Sequence, residues 1–270
     1  VNGTKGSMGS AYLSQILSEE LRVKSEEFPT GFPTLAAANS SLFTLHSSLK
    51  IMLTQTMTHA EVYAELERDR ETATVWWRHH LDTLRRPVLK ARRLPVIHWA
   101  DYTSPRRIRY LFFTRIFDKR MRRLLTGVAV PCRTDEGTAV YTSWLSDQRL
   151  IAPMVILPHA WRRYRERTGC ELTGCDLWRR FFTQNPHGCD STNQKAVARS
   201  VRYLGKPHLS LCMPEGVLLG QVEQPHDLFV ARTFITYDMT AGLQAEDFNA
   251  HRQHILTDRE MYERAKEWYK

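Results

Sequence analysis

MVILPHAWRRYRERTG, residues 154–169, changes character midway. Residues 154–157 are an apolar run of strand type. Pro158 then fits the first position of a helix, where its missing N–H costs nothing and its fixed φ is already helical. His159 follows, and then Arg162, Arg163, Arg165 and Arg167. A strand running straight into a short cationic helix is the junction from which the fold can be read outward.

Upstream, RYLFFTRIF at residues 109–117 is aromatic and β-branched, as strands are. Residues 128–130 and 139–145 flank Thr134-Asp135-Glu136-Gly137, a hairpin turn. Nearer the N-terminus, Thr58-His59-Ala60-Glu61 has the form of a capping box. It opens a helix carrying Val62, Leu66, Ala73, Trp77, Leu81 and Leu84, which Pro87 and Pro95 are expected to end.

Downstream, Thr173-Gly174-Cys175-Asp176 resembles a second capping box, with helix over residues 177–182, and residues 191–204 also read as helix. Strands follow at 209–213, 217–222 and 228–237, separated by Pro214-Glu215-Gly216 and Gln224-Pro225-His226-Asp227. Thr257-Asp258-Arg259-Glu260 opens a last helix. This order predicts an α+β fold with a mainly antiparallel sheet and flanking helices. Residues 1–56 read as a poorly ordered appendage and 57–270 as the domain. Within it, 57–150 is a basic N-terminal half, 151–240 holds the helix and later strands, and 241–270 is a C-terminal helix.

A chain of 270 residues, 42% apolar with seven tryptophans, can bury a substantial core. Its formal charge of +9 favours an anionic partner. Five cysteines at uneven spacing do not form a secreted disulfide framework, so a reducing, cytoplasmic setting is expected. No apolar run reaches membrane-spanning length. Cys170, Cys175, His187 and Cys189 match none of the strong zinc spacings, and neither metal nor cofactor is expected.

On a helix beginning at residue 158 or 159, Arg163 and Arg167 fall four and eight residues after His159 and share its face. Arg162 and Arg165 point elsewhere. A histidine able to move a proton, beside guanidiniums able to hold a phosphate, suits phosphodiester chemistry.

The pattern His159-Ala160-x-x-Arg163-x-x-x-Arg167 resembles the helix signature of small toxin-like domains of the barnase–EndoU–colicin–RelE ribonuclease superfamily, over residues 150–240. In those domains a similar helix precedes antiparallel strands, and the last strand often carries a polar residue facing the site. The resemblance implies a metal-independent endoribonuclease with catalytic His159, Arg163 and Arg167, supported by Thr233 or Thr236. Strand alternation groups Thr236 with Arg232 and Phe234, and the more polar pair Arg232/Thr236 is preferred. The segment 170–205 is longer than its counterpart in compact members of the superfamily.

The basic stretch 78–133 interleaves arginines with Trp99, Tyr102 and Tyr110, as a single-stranded nucleic-acid groove does. Arg85, Arg86, Arg92, Arg93, Arg106, Arg107, Arg122, Arg123 and Arg232 are the candidate RNA contacts. Two other readings use the same charge. One is a non-catalytic nucleic-acid-binding protein of a phage or mobile element. The other is a module docking an acidic protein, such as an antitoxin.

Overall fold

A computed structural model describes residues 53–145, 150–186, 189–191, 202, 208–224, 226–255 and 260. The fold is α+β. Helix α1 (His59–Lys90) precedes five strands: β1 (Val96–Thr103), β2 (Arg109–Ile116), β3 (Leu124–Thr134), β4 (Gly137–Leu145) and β5 (Leu150–Ile156). Helices α2 (Pro158–Thr168) and α3 (Gly174–Gln184) follow, then β6 (Cys189–Ser191), β7 (His208–Met213), β8 (Gly216–Glu223) and β9 (Leu228–Ile235). A 3-10 turn (Tyr237–Met239) leads to α4 (Gly242–His254). The predicted helix at 191–204 lies almost wholly outside the described residues, as does the predicted capping box at 257–260 apart from Glu260.

All the strands form one sheet in the order β1-β2-β3-β4-β5-β9-β8-β7-β6. It consists of two antiparallel meanders, β1 to β5 and β6 to β9. They join where β5 runs parallel to β9, with Val155 opposite Val230. The chain needs a crossover to make that join, and α2 and α3 lie within it.

Consecutive residues of β2 serve two different cores. On one face, Val62, Leu66, Trp77, Leu84 and Val88 of α1 pack against Phe112, Val128, Val130, Tyr141, Val155 and Val230. On the other, Trp161 and Tyr164 of α2 and Leu177, Trp178, Phe181 and Phe182 of α3 pack against Leu111, Phe113, Val140, Ile156 and Phe234. A strand buried on both sides reads as a near-continuous apolar run, which accounts for RYLFFTRI. A smaller cluster places Phe248 of α4 on Cys212 and Val217.

Thr58 and Glu61 form the expected reciprocal capping box at the start of α1. The helix does not end at Pro87 but continues to Lys90. Pro87 is exposed and near the helix end, so it forfeits a backbone bond without disturbing a buried face. Thr173, by contrast, makes no side-chain cap at α3. Leu53 and Met57 pack against the α1-side core, so the packed chain reaches further back than the expected boundary at 57. Residues 1–52 lie outside the described residues.

The second half of α1 is tied to edge strand β1 through His80 and His98, whose Nε2 atoms are 3.0 Å apart. Trp76 stacks on both His80 and Tyr102. Burial holds both imidazoles below the ordinary histidine range, and His80 depresses His98 further. The unfolded chain therefore binds protons more readily than the native one. This contribution to stability is complete above the ordinary histidine pKa of about 6.5 and is lost as pH falls below it. His59 acts in the same direction. Denaturation midpoints followed from about pH 7.5 to about pH 5.5 should fall, and His98→Gln should flatten that slope. An unchanged slope would remove the pair from the acid sensitivity.

Candidate functional site

Strand β5 passes into α2 through Leu157, whose N–H donates to the Ala231 carbonyl of β9 at 3.0 Å. Pro158 occupies the first turn, and Gly169 ends the helix in the left-handed conformation with φ 62°. Ala160, Trp161 and Tyr164 are buried, so the arginines take the outer side.

The expected face does not converge. His159 Nδ1 meets Arg162 Nη2 at 3.2 Å. Arg163 donates to Glu166 Oε2 at 2.8 Å. Arg167 reaches inward and donates to the Phe234 carbonyl of β9. Arg162, set aside on spacing alone, is thus the arginine that touches His159. Helical side chains lean toward the N-terminus, which carries a long residue at i+3 back over residue i. That bond fastens α2 to β9.

Thr236 lies beyond β9 and precedes the 3-10 turn, where its carbonyl accepts the Met239 N–H at 3.1 Å. The alternation that grouped it with Arg232 and Phe234 fails because β9 is irregular opposite Leu219 and Gly220, with Arg232 as the extra residue. Phe234 packs under α2, while the charge of Arg232 acts on His59 of α1. Gly220 permits this irregularity, since a Cβ there would lie 2.1 Å from the Val230 carbonyl oxygen.

The candidate RNA-binding arginines fall into distinct groups. Arg106 is ion-paired with buried Glu65. Arg123 pairs with Asp118 at 3.6 Å within its own turn. Arg85 and Asp82 form an exposed pair at 3.1 Å. Arg115, also in the basic stretch, is 1% exposed and donates to the Thr183 carbonyl at 3.4 Å. Arg86, Arg92, Arg93, Arg107 and Arg122 are exposed.

Val96 pairs with Ile116, so the segment entering β1 and the turn leaving β2 meet at one end of that hairpin. Arg92, Arg93, Lys119, Arg120 and Arg122 flank that corner and are exposed. Arg107 lies at the opposite end of the hairpin, with φ 62°. Charge density along the sequence revealed the corner but not which cations already had carboxylate partners.

Two arrangements were not foreseen. Tyr164, Arg180, Asn185 and Glu215 form a network joining α2, α3 and the β7–β8 turn. On the opposite face, His59 Nδ1 lies 2.7 Å from the Tyr141 hydroxyl. The ring of Tyr63 packs on His226, with centroids 4.9 Å apart. A histidine at the first helical position inside a capping box was the only sequence sign of the second arrangement. Among the described residues, no group of three or more His, Cys, Asp or Glu is placed to hold a metal, and no helix is long and apolar enough to cross a membrane. Comparison with protein-family models, curated proteins and solved structures finds no match for this chain.

Proposed function

We propose that the chain is a metal-independent endoribonuclease-like domain acting on RNA phosphodiesters. The observation that carries this reading is the start of α2, where half-buried His159 and exposed Arg162 are in contact and Arg163 is the next residue along. Its context supports the reading as well. Helix α2 rests on the last strand of an antiparallel meander, β6 to β9, the arrangement that the superfamily resemblance implies. In this account His159 transfers a proton and Arg162 and Arg163 hold phosphate. Arg167 sets the helix on the sheet.

At matched folding, His159→Ala should lower RNA cleavage by about 10²–10⁴-fold, the usual contribution of a general acid or base. Equal rates in the two proteins would remove His159 from the chemistry.

The basic corner favours a second reading, a nucleic-acid-binding protein without turnover. The double charge reversal Arg92→Glu/Arg93→Glu should weaken RNA binding and reduce the slope of log K against log salt by about 2 or more, roughly one per lost phosphate contact. Steep, salt-dependent binding by the wild type with no cleavage would select this reading. An acidic antitoxin-like protein would compete with RNA for the same corner.

A further inference from the structure

The outer edge of the second meander holds two cysteines that the sheet sets against each other. Strand β6 runs antiparallel to β7, and its register places Cys189 directly opposite Cys212. Directly opposed residues of an antiparallel pair have Cα atoms about 4.5 Å or about 5.5 Å apart, depending on the hydrogen-bonding position. Both separations fall within the roughly 4.4–6.8 Å that a disulfide bridges. Opposed residues also share one side of the sheet. The backbone thus already holds the two positions at bonding distance.

Among the described residues, this arrangement of cysteines is peculiar to the β6 edge. Cys132 of β3 stands opposite Ala139. Cys170 follows the end of α2 and Cys175 lies in the first turn of α3, so no strand register sets either against another cysteine. Helix α4 packs on both β6 and β7. Beneath it Cys212 is 0% exposed and packs with Val217 and Phe248. Strand β6 has three residues and lies at the edge of the sheet with β7 as its neighbour, whereas β7 lies between β6 and β8. A ladder that short, with a partner on one side, opens more readily than the rest of the sheet. It is also the element that a covalent link would hold most.

We propose that Cys189 and Cys212 form a reversible cross-strand disulfide that locks edge strand β6 to β7 when the chain meets a low-molecular-weight disulfide as oxidant. The exchange begins at Cys189, on the strand that opens more readily. Its thiolate attacks one sulfur of the small disulfide, the small S–S bond breaks, and one small thiolate leaves. The Cys212 thiolate then attacks the Cys189 sulfur of that mixed disulfide and expels the second small thiolate. Two protein thiols are oxidised and one small disulfide is reduced to two thiols. The protons of Cys189 and Cys212 pass through water to the departing thiolates. In a reducing compartment the reverse exchange returns both cysteines to thiols, so the link is conditional. Once closed, it ties off a loop of about two dozen residues and restricts the opening of β6.

The test uses the full chain, first reduced and then incubated under native conditions with oxidised glutathione. Acid-quenched peptic digestion prevents reshuffling, and mass spectrometry of the unreduced peptides identifies the linked pair. The expected result is the loss of two of the five thiols, recovered together in peptides joined through Cys189 and Cys212. Amide exchange in β6 and β7 should slow by at least about tenfold, since closing a loop of this length is worth more than that. Dithiothreitol should restore both thiols and the faster exchange.

Cys189→Ser alters the edge strand and leaves the packing of Cys212 with Phe248 in place. It should keep all its thiols and exchange equally fast with and without oxidised glutathione. Thiols lost to any other pairing, glutathione retained on Cys189 without closure onto Cys212, or β6 and β7 exchange unchanged by oxidation would each overturn the proposal. Loss of a thiol pair in Cys189→Ser would do the same.

Discussion

Truncating Phe112 to alanine is expected to destabilise the protein by about 3–5 kcal/mol, the usual cost of removing a buried phenyl ring without refilling its space. Phe112 is 0% exposed and stacks on Trp77 with centroids 4.9 Å apart and planes within 5°. Trp76 also packs on it, at 5.5 Å. Phe113, the next residue, faces the other core, where it stacks on Phe182 at 4.7 Å and lies over Gly127.

The two truncations should therefore loosen different layers. Phe112→Ala should raise amide exchange in α1 and alter the environments of Trp76 and Trp77, whereas Phe113→Ala should raise exchange in α3. Gly127→Ala should resemble Phe113→Ala, because a Cβ at 127 would lie 2.1 Å from the Phe113 ring and must displace it. Denaturant unfolding gives the magnitude and hydrogen exchange gives the location. Identical exchange patterns for Phe112→Ala and Phe113→Ala would contradict a sheet with separate cores on its two faces.

That arrangement was legible where burial makes composition distinctive. Strand β2 announced itself because both of its faces are covered, and β7, β8 and β9 because strong turn signals separate them. Strand β1 did not. It is an edge strand with mostly half-exposed residues, so its apolar pattern is weak and Pro95 dominates the local reading. The parallel seam between β5 and β9 was also invisible, since alternation says which face a residue takes and not which strand lies beside it.

The same limit shaped the reading of the site. One irregularity at Arg232 was enough to take it off the face that Phe234 buries under α2. Arg106 counted as a free cation in the sequence, yet its carboxylate, Glu65, is 41 residues away in the chain. Spacing also ranked Arg163 above Arg162 beside His159. The actual partner was set by side-chain direction and by Glu166 drawing Arg163 away. Residue chemistry along α2 was readable, whereas the pairing of its charges depended on contacts that helical period does not specify.

Glu215→Ala is expected to cost about 2–4 kcal/mol, because it leaves several donors without the carboxylate they share. Glu215 accepts from the Tyr164 hydroxyl at 2.6 Å, from Arg180 Nη2 at 3.0 Å and from Asn185 Nδ2 at 2.9 Å. Its own N–H donates to Asn185 Oδ1 at 3.1 Å. These bonds connect α2, the end of α3 and the turn before β8. Burial, reinforced by the neighbouring carboxylate, raises the Tyr164 pKa, so the phenol remains a donor.

Alanine would leave the Arg180 guanidinium, whose side chain is only 30% exposed, without its counter-charge. Glu215→Gln keeps an acceptor and should recover part of the loss. A double-mutant cycle pairing Glu215→Ala with Arg180→Met should show a coupling of about 1–3 kcal/mol, as for contacting groups in one network. Since Tyr164 and Arg167 both anchor α2, Glu215→Ala should also loosen the helix that presents His159. Purely additive single losses would mean that the network does not act as a unit and that α2 is held chiefly by the packing of Trp161 and Tyr164.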